Sequence, residues 1–532
     1  MKEKGPLDSQ GEKFRNRHLR RADWRYLLVN PCPARSVCFS NGLLAQAVQT
    51  VSTKWFSPGK VSPGECDLAV AANPSRTTLL SAWQALRPGG EFYGEWYSPL
   101  VGGAQGVRQR LEAAGFIDVA CYWPWPIPGI SAALFWLPLE APQAVRYFLS
   151  SRPRSANPAA SLSRAALQIL WSFAWRTRLL APVCAIARKP VGDISPSGSH
   201  ATTSSLQQEI LARWSSWGFS GTPSQLDWLL WTGGKRSINK VVGYVFPPGE
   251  DQPRMVVKLP RSPESLPGLA HEVEILQALQ SKETAAVAHL PKVLFVQEWG
   301  GMPALCETAV PGQPLYTFLR QDNFHELAIS VTDWLASLAA GEPLRPRSIW
   351  WNKIVEPALD DFMQSFASVL DTSVPPACRS LLERLGDLPR VCEHRDCSPW
   401  NLLLTSAGEL AVLDWESAEL DGLPGLDLVY FLTYLAFFVD EAKQTSQMLE
   451  AYRRAADPAT PTGRVQAECQ RRYADRTGLD PATLRPLRLL AWLIHSRSEY
   501  HHLAADTGGI PQPAALRSSL FYNLMLEELV HE

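Results

Sequence analysis

The sequence predicts two structural classes in one chain: an α/β N-terminal part with a shortened, doubly wound sheet, and a larger α+β part of two lobes, the second mostly helical. Three observations carry this reading. The first is Glu393-His394-Arg395-Asp396-Cys397-Ser398-Pro399-Trp400-Asn401, followed by Leu413-Asp414-Trp415-Glu416. The second is a pair of helix-to-strand turns, L-R-P-G-G-E-F at 86–92 and E-A-A-G-F-I-D-V at 112–119. The third is the stretch 191–205, rich in Gly, Pro, Ser and Thr, which is linker chemistry and poor in anything a core could use. The expected organisation is therefore 1–190, a linker at 191–205, and 206–532, the last divided into a small lobe at 206–310 and a large lobe at 311–532.

Composition agrees with a large globular protein. A chain of 532 residues exceeds what one hydrophobic core usually supports. Hydrophobic residues make up 46% and charged residues 19%, ordinary values for folded domains. A net charge of −1 gives no electrostatic case for a nucleic-acid partner. Ten cysteines are scattered without a C-x-x-C pair or a ligand cluster with the histidines, as expected of reduced thiols in a cytoplasm. The N-terminus, Met1-Lys2-Glu3-Lys4-Gly5-Pro6, opens no apolar leader. No apolar run reaches the roughly 18–20 residues needed to span a bilayer. The expectation is a cytoplasmic protein without a transmembrane span.

The segment around Asp396 reads H-R-D-x-x-x-x-N. Phosphoryl transfer from Mg-ATP needs one carboxylate near the acceptor hydroxyl and oxygen ligands for the metal. Asp396 suits the first part, and Asn401 with Asp414 supply the ligands. The spacing has a geometric logic. A tight loop carries Asp396 and Asn401; a hairpin follows, with strands at 402–404 and 410–413 and a turn at Ser406-Ala407-Gly408, and it returns Asp414 beside Asn401.

At these residues the chain resembles the aminoglycoside phosphotransferase and choline kinase-like family, a branch of the protein-kinase-like fold, over about 205–532. Further matches follow in order. Asp427, in Gly-Leu-Pro-Gly-Leu-Asp-Leu, looks like the family's Asp that braces the catalytic loop. Met255-Val256-Val257-Lys258 looks like the strand whose Lys reaches the ATP phosphates. Glu272 looks like the helix partner of that Lys, with Glu274 as a rival because only one face of the helix can point at the strand. Leu305-Cys306-Glu307-Thr308-Ala309 resembles the hinge, where backbone groups from Glu307 to Ala309 would hold adenine. The phosphate-covering loop, Thr232-Gly233-Gly234-Lys235-Arg236-Ser237, has two adjacent glycines and the hydroxyl of Ser237 in place of G-x-G-x-x-G. That departure leaves the nucleotide open between ATP and GTP. What the resemblance implies is an ATP-dependent kinase using Mg2+, with the nucleotide between lobes carrying Lys258 and Glu272 on one side and Asn401 and Asp414 on the other. Its acceptor would be a hydroxyl of a small molecule or glycan precursor.

The two N-terminal turns look like the second half of class I, S-adenosylmethionine-dependent methyltransferases, a Rossmann-like fold. The first half departs from that pattern. The strand at 36–40 runs into Phe39-Ser40-Asn41-Gly42 with a single glycine, and between Gly42 and Cys66 the only acid is Glu65, directly before the next strand. The interval from Ser40 to Cys66 is too short for two intervening β–α units. A retained fold without methyl transfer is expected, and S-adenosylmethionine is not expected to bind.

Residues 164–180, apolar with arginines towards both ends, suit either a core helix or an interfacial helix in peripheral contact with a membrane. Trp350 and Trp351 suit a substrate pocket or ordinary helix packing, and His501 and His502 suit substrate ligands or an exposed helix end. Two rival functions stay open: a non-catalytic nucleotide-binding regulator or scaffold, and a methyltransferase with an accessory kinase-like domain. A protein side chain as acceptor is a further variant.

Overall fold

The computed structural model describes residues 9–126, 134–150, 181–191, 205–234, 239–281, 289–339, 342–507 and 509–530. The segment 164–180, most of the stretch 191–205, and Ser237 lie outside the described residues. Two compact units are present: one formed by Phe14–Leu269 with Lys292–Ala309, the other by Met1–Lys13, Ala270–Pro291 and Val310–Glu532.

The first unit is built on one twelve-stranded sheet. Its strands in chain order are β1 (Arg35–Cys38), β2 (Lys54–Phe56), β3 (Cys66–Ala72), β4 (Leu86–Trp96), β5 (Ile117–Trp125), β6 (Phe135–Pro138), β7 (Val183–Arg188), β8 (Asp227–Trp231), β9 (Val241–Phe246), β10 (Met255–Leu259), β11 (Val293–Trp299) and β12 (Met302–Thr308). Their order across the sheet is β11-β12-β10-β9-β8-β6-β5-β7-β4-β3-β1-β2. The block β4-β3-β1-β2 is parallel, and every pairing from β4–β7 to β12–β11 is antiparallel.

The sequence explains the parallel block. β3 is Cys-Asp-Leu-Ala-Val-Ala-Ala and buried almost throughout, as a strand covered on both faces must be. The helix Arg76–Ala85 that follows is capped by Ser75, whose hydroxyl accepts the Thr78 N–H at 3.1 Å. Consecutive β4 residues then point to opposite faces. Phe92 and Trp96 join Val107, Leu111 and Phe116 in one core, whereas Tyr93 joins the other.

That second core draws on both ends of the unit. Trp24, Tyr26 and Leu28 pack in it with Val241 and Val257 of β9 and β10 and with Phe295 of β11. The two ends are also joined by hydrogen bonds at β6–β8, where Phe135 pairs with Trp231 and Trp136 with Leu230. The expected division at 191–205 is therefore not the division between the compact units. One ladder runs from the N-terminal strands into the strands expected of the small lobe, and a composition break in the chain does not interrupt it.

The second unit is mostly helical, as the sequence from Leu426 onward predicts. Its longer helices include Phe324–Ala339, Glu356–Phe366, Leu426–Val439, Thr445–Ala456, Pro461–Thr477, Leu484–Thr507 and Leu520–Val530. The segment 457–460, which contains Pro458, joins two of them. Thr460 caps the second by accepting the Gly463 N–H at 2.9 Å, and Pro461 sits at its first position. Leu402–Leu404 and Leu410–Val412 form the expected antiparallel hairpin, with Gly408 at φ +80° in its turn. Among the described residues, no helix is long and apolar enough to cross a membrane.

Candidate active site

The loop after the strand Val391–Glu393 is held from beneath by one carboxylate. Asp427, at the start of the helix Leu426–Val439, accepts the His394 N–H at 2.6 Å and the Arg395 N–H at 2.8 Å. Those two bonds hold Arg395 at φ +62°, a left-handed conformation that costs a non-glycine residue of order 1–3 kcal/mol unless its surroundings fix it. Burial, with the charge of Glu393, pushes the Asp427 carboxyl up to about 7. The Arg395 guanidinium reaches the buried Glu393 carboxylate at 2.8 Å, and Glu393 also accepts the Leu423 N–H. Gly422 is required here, because a Cβ on it would lie 2.4 Å from the Glu393 side chain. Arg395 thus braces a neighbouring carboxylate.

Asp396 and Asn401 are hydrogen-bonded to each other. The Asn401 amide donates to the Asp396 backbone carbonyl at 3.0 Å and to its carboxylate Oδ2 at 2.8 Å. With its NH2 so used, Asn401 presents its side-chain oxygen as an acceptor. The Asn401 carbonyl accepts the Leu413 N–H at 2.9 Å, which brings Asp414 to the loop. Asp414 also sits left-handed, at φ +65°. Burial pushes the Asp396 carboxyl up to about 7; the negative charge of Asp414 adds to this, while hydrogen bonds from Asn401 and Tyr430 oppose it.

His394 ties the two strands of this site together as a neutral ring. Its Nδ1 accepts the Asp396 N–H at 3.2 Å, and its Nε2 lies 2.8 Å from the Leu413 carbonyl. A carbonyl only accepts, so Nε2 carries the hydrogen and Nδ1 the lone pair. Burial, which lowers the pKa, favours the same neutral form.

Glu272 and Glu274 are separated by exposure. Glu272 is fully buried and its carboxylate accepts the Trp415 N–H at 3.1 Å, directly behind Asp414; Glu274 is exposed. Among the described residues no group of three or more His, Cys, Asp or Glu side chains could hold a metal ion. An amide oxygen and one carboxylate nonetheless fit Mg2+, which usually keeps several waters and takes the rest of its ligands from substrate phosphates.

In the sheet unit, Lys258 on β10 is buried and its Nζ lies 3.0 Å from the Glu307 carboxylate of β12. The Thr308 N–H donates to the Lys292 carbonyl at 2.9 Å and the Ala309 N–H to the Arg254 carbonyl at 3.0 Å. A base approaching these two residues would therefore meet carbonyls in preference to N–H groups. At the glycine pair, Gly234 sits at φ +80° against Asn239, whose side chain a Cβ would meet at 2.2 Å.

This loop is anchored from the N-terminus. Arg261, 1% exposed, donates to the carbonyls of Thr232 at 2.9 Å and Gly233 at 3.2 Å. Its Nε donates to Asp23 Oδ1 at 3.1 Å; the Nη2–Oδ2 approach, also 3.1 Å, is an ion pair without hydrogen-bond alignment. Arg25 donates to the Arg261 carbonyl and the Tyr26 hydroxyl to the Pro260 carbonyl, both at 2.7 Å. The sequence gives no sign of this anchor, because its partners are 238 positions apart. Tyr430 was legible in principle: it follows Asp427 by one helical turn and so shares its face. Trp350 and Trp351 are both buried, and His501 is exposed.

An H-R-D-x-x-x-x-N loop on a helical subdomain, returned by a short hairpin to an Asp, is the arrangement of a kinase-type phosphotransferase. Residues 247–464, from the end of β9 to the helix Pro461–Thr477, match the model of the phosphotransferase enzyme family. No curated protein matches the sequence. Similar solved structures include aminoglycoside phosphotransferase APH(4)-Ia, at 16% identity and a TM-score of 0.37, covering 61% of this chain and 98% of that one. A glucosamine kinase is similar at 15% identity and a TM-score of 0.36, covering 64% and 87%. An ethanolamine kinase of Plasmodium vivax is similar at 14% identity and a TM-score of 0.34, covering 57% and 80%.

Proposed function

We propose that the chain transfers the γ-phosphoryl group of ATP to a hydroxyl of a small molecule or glycan precursor. The observation that carries this reading is Asp396: a half-buried carboxylate poised near neutral pH, positioned by Asn401 and set beside the turn that bears Asp414. Asp396 orients the acceptor hydroxyl and takes its proton. Asn401 and Asp414 would hold Mg2+, which would neutralise charge on the phosphates. Lys258 contacts those phosphates; Glu272 supports the Asp414 turn through the Trp415 N–H, and Glu307 fixes Lys258. Carbonyls from Glu307 to Ala309 receive the base, with ATP or GTP as the nucleotide, and Ser237 with the adjacent glycines covers the phosphates. No cysteine is in a disulfide, which suits a reducing, cytoplasmic setting. The test is transfer of labelled γ-phosphate from ATP into a small-metabolite extract, comparing the wild-type chain with Asp396→Asn. Label that depends on Asp396 supports the reading and isolates the acceptor. A folded wild type giving no label above the variant would move the assignment to the nucleotide-binding regulator.

A pH dependence follows. Asp396 must be ionised to accept a proton, so kcat/KM is expected to rise as pH increases through about 7. A profile flat from pH 5 to pH 9 would remove Asp396 from that role.

We read the N-terminal part as a Rossmann-like methyltransferase fold that has lost one β–α unit and its cofactor site. What supports this is the order β2-β1-β3-β4, a doubly wound arrangement whose direction reverses at β1 and β3. At that reversal, where such folds bind ligands, the Ser40 hydroxyl accepts the Ala72 N–H at 2.7 Å and joins the two strand ends. On β4, the buried Glu95 carboxylate is taken by Arg21, Tyr93 and Tyr97. Titration of the full chain with S-adenosylmethionine is expected to show no binding; saturable binding would revive the methyltransferase alternative.

A further inference from the structure

The helical unit contains a cavity of about 380 Å³ that includes none of Asp396, Asn401 or Asp414 in its lining. Its volume falls in the range of small-molecule sites, roughly 300–1,000 Å³. One side is apolar, with Ile349, Trp350, Ile354 and Pro357. Five cationic side chains from separate segments converge on the rest: Arg345, Lys353, Arg390, Arg395 and Arg497. The lining includes two carboxylates, Glu419 and Asp421.

The ion pairs fix these groups without using them up. Arg390 and Arg345 both hold Asp421, at 2.9 and 3.4 Å, Arg497 holds Asp361 at 3.0 Å, and Arg395 holds Glu393 at 2.8 Å. A guanidinium has five N–H donors, and one carboxylate engages at most two or three of them. Each arginine is thus pre-positioned with donors to spare. Lys353 is exposed and, among the described residues, has no ion-pair partner. It sits on Trp351–Val355, a π-helical turn, a distortion frequent at functional sites.

We propose that this cavity binds a small phosphate monoester whose organic part is apolar or ring-shaped. Donors arriving from several directions match a tetrahedral group with three terminal oxygens better than a planar carboxylate with two. The wall of Ile349, Trp350, Ile354 and Pro357 receives the rest of the ligand. Arg395 links the site to the neighbouring Asp396. The assignment does not depend on the acceptor proposed above, and its test uses no turnover.

The test is calorimetric titration of the full-length chain with phenyl phosphate, benzoate and inorganic phosphate. Wild type is compared with Lys353→Glu, Lys353→Met and Asp414→Ala. Phenyl phosphate is expected to bind wild type and Asp414→Ala alike. It should bind Lys353→Glu at least about tenfold more weakly, with Lys353→Met in between, as for losing a charge-assisted contact. Inorganic phosphate is expected to bind more weakly than the ester. Unchanged affinity in both Lys353 variants, or no binding to wild type at millimolar ester, would overturn the site. Binding lost only in Asp414→Ala would place the ester at the nucleotide site and overturn it equally. Benzoate bound as tightly as phenyl phosphate would overturn the assignment to a phosphate.

Discussion

Asp396→Asn is expected to lower turnover by about 10²–10⁴-fold, the usual contribution of a positioned general base, with nucleotide affinity nearly unchanged. The replacement has the same shape. Its side-chain oxygen can still accept from the Asn401 amide, and the bond from Asn401 to the residue-396 carbonyl is untouched. What disappears is the ability to take a proton, together with the repulsion from Asp414 that helps raise the carboxyl. Asp414→Ala is expected to act differently, removing the metal dependence of nucleotide binding. Steady-state kinetics and nucleotide titration of both variants separate the roles. If Asp396→Asn weakens nucleotide binding as much as turnover, its carboxylate serves the loop's structure and the proton-accepting role is lost.

The second large effect is expected in the sheet unit. Asp23→Ala leaves the guanidinium of Arg261 buried without its carboxylate, and breaking a buried pair in this way costs about 3–5 kcal/mol. Whole domains are stabilised by only about 5–15 kcal/mol. Both partners are 0–1% exposed, so water cannot replace the lost charge. The unfolding midpoint is expected to fall, and nucleotide affinity with it, because Arg261 also holds the carbonyls of Thr232 and Gly233. Replacing both partners, Asp23→Leu with Arg261→Met, should recover much of the stability but not the loop's anchor. Thermal unfolding and nucleotide titration of the single and double variants read these two effects apart. A midpoint for Asp23→Ala equal to wild type would show that the pair contributes nothing.

Why the sequence exposed some of this and hid the rest follows from the range of the interactions. Asp396, Asn401, the hairpin and Asp414 lie close together in the chain, so their spacing encodes their geometry. Asp427 was legible as a brace only through its place in the resembling family's motif, Gly-Leu-Pro-Gly-Leu-Asp-Leu. The turns at 86–92 and 112–119 marked β4 and β5 for the same reason. Distinguishing Glu272 from Glu274 needed burial, which two residues two positions apart on a helix do not reveal. The pairing of Lys258 with Glu307 crosses between strands whose register is set by the sheet. The Asp23–Arg261 anchor and the β6–β8 pairing depend on packing across most of the first unit. Composition marked 191–205 as soft, yet softness between two strands says nothing about whether those strands later lie in one ladder.

The joint at β6 and β8 has a practical side for anyone dividing this chain. Cutting at the soft stretch would leave β8 as an open edge, with Trp231 and Leu230 stripped of their partners and a row of N–H and C=O groups ready to pair with another molecule. It would also take away Trp24, Tyr26 and Leu28 from beneath β9 and β10. A fragment beginning near residue 206 is thus a recipe for aggregation, however kinase-like its sequence. The smallest piece that keeps this sheet whole begins near Phe14.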